Sequence, residues 1–160
     1  MKRWILIGCC VLLVSCTNIY NDQLSLYNQY VDEITSYNEM NTDTNLPFDI
    51  KVYFEKVIDD EITYRIIVDN PKEEMKNIKA IAIHDYPTTD VFPTSGVFEK
   101  PLHMSPDIVN VNDNYVKGFI LIGYIDFNNE LEDFDGTVKV LIQYDDVDGN
   151  LKKVYYQYHK

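Results

Sequence analysis

Beyond Pro47 the chain alternates apolar and polar positions with a period of two, the signature of half-buried strands. Phe48, Ile50, Val52 and Phe54 alternate with Asp49, Lys51, Tyr53 and Glu55. After the acidic turn Asp59-Asp60-Glu61, Ile62, Tyr64, Ile66 and Val68 alternate again, which predicts a hairpin. Asp69-Asn70-Pro71 stops the second strand, Lys72 to Asn77 is expected to be a turn or short helical crossover, and Ile78 to His84 is a third strand expected to face inward through Ile81 and Ile83. Pro87, Pro93, Pro101 and Pro106 interrupt the next stretch, which has room for a short edge strand around Phe92 or Val97-Phe98. Val116 to Phe127 is apolar at both parities, so burial on both sides is expected. Val138, Val140, Ile142 and Tyr144 then pair across the Asp145 to Asn150 turn with Val154, Tyr156 and Tyr158. Ahead of all this the period is helical: Tyr20, Leu24, Tyr27, Val31 and Ile34 recur at spacings of three and four, widened by Tyr30 and Tyr37, predicting one amphipathic helix from Ile19 to Met40. Its preferred partner is its own domain; pairing with another protein is the alternative.

Six clear strands and one short edge strand, with no βαβ alternation, predict an all-β domain over residues 47–160. The expected architecture is an antiparallel two-sheet sandwich of about seven strands preceded by one amphipathic helix; a small barrel is the alternative. In architecture this resembles the immunoglobulin and fibronectin III sandwiches. The Cys pair and core Trp of antibody domains are missing, because Cys9, Cys10, Cys16 and Trp4 all lie at the start of the chain. Composition agrees: 13 Tyr and 7 Phe form a strand-former's alphabet, and Ala occurs only at Ala80 and Ala82.

The first residues have a different character. Met1-Lys2-Arg3 is a short basic start, and Trp4 to Val14 is an apolar run too short for the roughly 20 residues of a membrane-spanning helix. It fits the apolar region of an export signal. Leu13-Val14-Ser15-Cys16 resembles the lipobox of bacterial lipoproteins. The resemblance implies cleavage by a signal peptidase of type II, a diacylglyceryl thioether on Cys16, and anchoring to the extracytoplasmic face of the bacterial cell membrane. A thiolate is nucleophilic enough to accept the lipid, and two acyl chains meet the requirement for stable anchoring. A plain secretory signal or an apolar N-terminal strand is the alternative. The organisation follows as residues 1–15 leader, 16–46 lipidated N-terminus, helix and linker, and 47–160 sandwich. Loss of the leader would leave 12 basic against 26 acidic residues, a net charge of −14.

Charge and chemistry narrow the function. The full chain carries 14 basic and 26 acidic residues, net −12, a field that repels nucleic acid. Asp145-Asp146-Val147-Asp148-Gly149-Asn150 has the carboxylates of a Ca²⁺ loop, but an EF-hand would need acids where Tyr144 and Tyr155 stand, so a hairpin turn is expected. Glu130, Glu132, Asp133 and Asp135 before Gly136 have the same reading. Ser95, His84 and Asp85 are the nearest approach to a nucleophilic triad, yet no nucleophile elbow surrounds Ser95, and adjacent strand residues point to opposite faces. His84, His103 and His159 are isolated, and the glycines form no phosphate-binding loop. No catalytic residue, metal or cofactor is therefore expected.

What remains is a recognition role. The proline-stiffened segment with Tyr86, Phe92, Phe98, His103 and Met104 is the candidate partner-binding loop; Phe92 and Phe98 capping the core is the competing reading. The expected function is a non-enzymatic envelope lipoprotein that binds a protein or cell-envelope component. Alternatives are an accessory subunit of a membrane complex docked through the helix, and, from another class, an envelope hydrolase or metal-dependent enzyme.

Overall fold

The computed structural model describes residues 24–37, 45–87, 94–96, 102–107 and 114–160. A helix, α1, covers residues 24–36. Strands β1 (Asp49–Ile58), β2 (Glu61–Asp69), β3 (Met75–His84), β4 (Thr94–Gly96), β5 (Leu102–Met104), β6 (Gly118–Asp126), β7 (Thr137–Asp145) and β8 (Leu151–His159) follow, with a 3₁₀ turn at Leu131–Asp133. They form two antiparallel sheets, β1-β2-β6 and β4-β3-β7-β8, and the short β5 pairs with the first half of β3. The protein is thus a mostly β, two-sheet sandwich with one N-terminal helix, as the alternation predicts.

Both expected hairpins form. Phe54 lies opposite Tyr64 and Val52 opposite Ile66, while Val138, Val140 and Ile142 lie opposite Tyr158, Tyr156 and Val154. Between the sheets, Ile62, Tyr64, Ile66 and Val68 of β2 and Phe119, Leu121 and Ile125 of β6 share one core with Ile78, Ala80 and Ala82 of β3 and Val138, Val140, Ile142 and Tyr144 of β7. Two glycines answer specific demands. A Cβ on Gly118 would stand 2.5 Å from the Val68 carbonyl oxygen, so only glycine lets β6 start beside the end of β2. Gly149 takes φ +79° in the β7–β8 turn, a conformation that L side chains avoid.

Four local expectations are corrected. Ile81 and Ile83 face away from the sandwich core; the core face of β3 is Ile78, Ala80 and Ala82. Apolar residues occupy both parities of β3, so alternation alone cannot orient it. β6 is not buried on both sides: it closes one edge of the three-stranded sheet, and Ile120, Ile122 and Tyr124 are exposed. Of the two readings of Lys72 to Asn77 the helical crossover fails and the turn holds only for the bend at Lys72 and Glu73, since β3 already begins at Met75 with an irregularity between Lys76 and Lys79 and Asn77 at φ 52°. The edge strand is Thr94–Gly96, between the two places expected, and β5 is an additional pairing; Phe92 and Val97-Phe98 lie outside the described residues.

The helix docks on its own domain. Tyr30 and Ile34 are buried against Ile81, Ile83 and Leu141 on the outer face of the β3-β7-β8 sheet, with Leu26, Tyr27, Val31 and Tyr155 around them. Leu24, assigned to the same stripe by spacing, is 45% exposed, and Tyr20 lies outside the described residues. Polar contacts lock the orientation. Tyr30 Oη donates to Gln143, Glu33 accepts from Lys153 Nζ at 2.6 and 2.8 Å and from the Tyr155 hydroxyl, and the Tyr37 ring stacks on Tyr155 with centroids 3.7 Å apart.

Candidate functional site

The proline-rich segment is more structural than its composition suggests. Met104 is fully buried in the sandwich core. Tyr86 packs edge-on against Phe127 at 5.5 Å and lies 5.3 Å from Phe134, closing one end of the core. His103 is half-buried: its Nδ1 accepts the Asn77 amide at 3.1 Å and its ring lies 5.2 Å from Tyr115. Of this set, then, Met104 has no surface to offer a partner, and Tyr86 and His103 hold the loop to the body. Phe92, Phe98 and Cys16 lie outside the described residues.

The acidic segments are turns. Asp146 Oδ1 accepts the amides of Asp148 and Asn150 at 3.0 and 2.9 Å, and Lys152 Nζ lies 3.3 Å from Oδ2. The amide of Asn150 is the main cause that holds this carboxyl below its ordinary pKa. The carboxylate already serves as the internal acceptor of a hairpin turn closed by Gly149 N–H to the Asp146 carbonyl. Among the described residues no group of three or more His, Cys, Asp or Glu is arranged to hold a metal ion. The Glu130 to Asp135 loop forms the 3₁₀ turn, with Asp135 3.2 Å from His159 Nε2.

The triad candidates do not converge. Asp85 Oδ1 accepts the Thr137 amide at 2.7 Å, and the backbone of Ser95 pairs with Ile81, not with His84. His84 is only 4% exposed, with its ring edge-on to Tyr64 at 6.3 Å and neither ring nitrogen hydrogen-bonded. Burial pushes its pKa below the ordinary value, and the Tyr86 backbone together with the nearby charges of Asp85 and Asp126 only partly opposes this.

The surface that stands out was not singled out by spacing. On the outer face of β1-β2-β6, Tyr53 is 52%, Ile120 53%, Ile122 44% and Tyr124 57% exposed. Three cross-strand rows compose it: Lys51-Ile67-Ile120, Tyr53-Arg65-Ile122 and Glu55-Thr63-Tyr124. Arg65 Nη1 pairs diagonally with Glu55. Both partners are exposed, so the pair adds little stability. Large apolar side chains clustered on one open face mark an interaction site more often than scattered ones do. Charge is uneven along the strands. Asp59, Asp60, Glu61 and Asp126 crowd the end next to the β1–β2 turn, whereas at the opposite end Asp49 is balanced by Lys72 at 3.6 Å and Asp69 shares a cleft with Lys117. The signal that could have located this face is the apolar outward parity of β6, which by itself reads as a central strand.

Among the described residues no helix is long and apolar enough to cross a membrane. In comparison with known proteins, the chain matches no family model and no curated protein, so its functional reading rests on its own residues.

Proposed function

We propose that this chain is a non-catalytic binding module of the bacterial cell envelope, anchored through lipid on Cys16 at the extracytoplasmic face of the membrane. The outer face of β1-β2-β6 is its recognition surface. The observation that carries the reading is the open cluster Tyr53, Ile120, Ile122 and Tyr124, since recognition surfaces concentrate binding in a few large, accessible side chains. The anchor rests on the apolar run Trp4 to Val14 and on Leu13-Val14-Ser15-Cys16. Strand order supports an immunoglobulin-like relationship: β1, β2 and β6 correspond to strands A, B and E, and β3, β7 and β8 to C, F and G, with β4 beside C. Docking of a larger complex through the helix is the weaker reading, because Tyr30 and Ile34 already cover the domain's own sheet.

Cys16→Ala is expected to abolish fatty-acid labelling and to release the chain from the membrane fraction; unchanged labelling would end the lipoprotein reading. Tyr53→Ser with Tyr124→Ser is expected to abolish photo-crosslinks formed from a probe at Ile120 in intact cells while melting is unchanged. Crosslinks that persist would move recognition away from this face.

A further inference from the structure

We infer that the domain stands upright on the membrane: the end of the sandwich formed by the β7–β8 turn and the β2–β3 connection faces the lipid headgroups, and the acidic opposite end points away. The inference rests on the Cys16 anchor proposed above and adds the orientation in which that anchor holds the domain.

The docked helix sets the direction. Tyr30 bonds Gln143 of β7, whereas Glu33 and Tyr37, further along the helix, meet Tyr155 of β8. Gln143 lies opposite Lys153 and Leu141 opposite Tyr155, so Tyr30 sits nearer the β7–β8 turn than Tyr37 does. The helix N-terminus therefore points towards that turn. From Tyr30 back to Leu24 the helix advances about 9 Å, and from Gln143 to Asp145 the strand advances about 7 Å. The start of the helix is thus level with the turn.

Reach excludes the inverted stance. Cys16 and Leu24 are eight peptide steps apart in the sequence, which span at most about 29 Å. Strands β7 and β8, nine residues each, are about 30 Å long. An inverted domain would lift Leu24 from the bilayer by at least that length, beyond even a fully extended tether; an upright domain needs far less.

Charge selects the same end. Beside the β7–β8 turn and the β2–β3 connection, Lys72, Lys76 and Lys152 lie 3.6, 3.4 and 3.3 Å from Asp49, Glu74 and Asp146, and Lys117 shares a cleft with Asp69. At the other end, Asp59, Asp60 and Glu61 of the β1–β2 turn and Asp126 are joined by the acids of the 130–135 loop. Lys56 and Lys160 there donate to the backbone carbonyls of Asn129 and Leu131, not to carboxylates. The field of an anionic lipid surface fades within about 10 Å at ordinary ionic strength. The upright stance keeps the acidic end outside that layer, and inversion would immerse it. Resting on the helix side would press Asn28, Gln29 and Asp32 onto the surface, and the described helix has no Lys or Arg to hold it there. Upright, the β1-β2-β6 face stands on edge to the bilayer and is open from the side.

The test uses the lipidated full chain in vesicles of phosphatidylcholine with phosphatidylglycerol. Cleavage before Cys16 removes Cys9 and Cys10 and the lipid blocks Cys16, so one introduced cysteine takes one donor fluorophore. Exposed positions serve: Val147→Cys in the β7–β8 turn, Ile122→Cys on the open face and Asp60→Cys at the acidic end. Energy transfer to acceptor lipids is expected to be severalfold greater from the Val147→Cys site than from the Asp60→Cys site, with Ile122→Cys between them. Equal transfer from the two ends would overturn the upright stance, and greatest transfer from Ile122→Cys would replace it with a domain lying on its open face. Doubling the tether with Gly and Ser is expected to shrink the difference between the ends, most of all in phosphatidylcholine alone; a difference that survives both changes would overturn tether and charge as its cause. Chains that take up no fatty acid and do not float with the vesicles would end the anchor and the orientation together, whereas chains that float but show equal transfer would end the orientation alone.

Discussion

The two outer faces of this sandwich are built from the same residue types and end differently. On the β3-β7-β8 face, Ile81, Ile83 and Leu141 are roofed by Tyr30 and Ile34 of the helix and have lost nearly all contact with water. On the β1-β2-β6 face, Ile120, Ile122, Tyr53 and Tyr124 have no such roof and stay about half exposed. An apolar outer face is therefore not by itself a statement about burial. What differs is whether the chain supplies an amphipathic element to cover it and polar contacts, here Glu33 with Lys153 and Tyr155, to hold that element in one orientation.

This contrast can be broken experimentally. Ile81→Ala removes a fully buried side chain beneath the helix and is expected to cost about 2 to 5 kcal/mol in urea unfolding. A loss below about 1 kcal/mol would mean that the helix does not seal this face. Ile34→Ala, on the helix itself, is expected to cost about 2 to 3 kcal/mol, because the helix can settle into part of the gap.

Acidity separates the helix contact from the core. His84 is buried with its pKa held below the ordinary 6.5 by burial, so the unfolded chain takes up the proton first. Its contribution to stability is complete above pH 6.5 and declines as pH falls below that value. In urea titrations, His84→Gln is expected to flatten the slope between pH 6.5 and 5; an unchanged slope would place its origin elsewhere. For Glu33, burial pushes the carboxyl up, but hydrogen bonds from Lys153 and Tyr155 together with the Lys153 charge outweigh it, and the net shift is downward from 4.5. Its contribution is present above pH 4.5 and is lost as pH falls through the lowered folded value. Glu33→Gln is expected to cost about 1 kcal/mol at pH 7 and to weaken the near-ultraviolet circular dichroism of the Tyr37–Tyr155 stack. A stack that survives at full strength would show that Glu33 does not orient the helix.

The smallest effect is expected on the open face. Ile122→Ser is expected to change unfolding free energy by no more than about 0.5 kcal/mol. A loss as large as that of Ile81→Ala would mean that this face is covered after all.

The comparison also separates what could be read from the sequence from what could not. Clean alternation determines the two hairpins: in Ile62-Thr63-Tyr64-Arg65-Ile66 and in Thr137-Val138-Lys139-Val140 the large apolar residues share one parity, so the core face follows from the residues. The 3.6 period likewise determines the helix, but of the stripe it marks Ile34 is buried and Leu24 is exposed, while Tyr30, at the margin of that stripe, is buried. Where both parities are apolar, the residues leave the outcome open. Ile78-Lys79-Ala80-Ile81-Ala82-Ile83 and Phe119-Ile120-Leu121-Ile122 are nearly equivalent as strings. The first became a strand buried on both sides, since β3 has neighbours in its sheet and a helix above it; the second became the edge of a three-stranded sheet with one face open. Met104 and Tyr86 joined the core for a related reason: pairing of β5 with β3, and closure of the sandwich end by Phe127 and Phe134, are contacts between residues far apart in the chain. Local pattern determines which elements form and which side of an unambiguous strand is apolar; which apolar side finds a cover depends on neighbours that only the tertiary structure supplies.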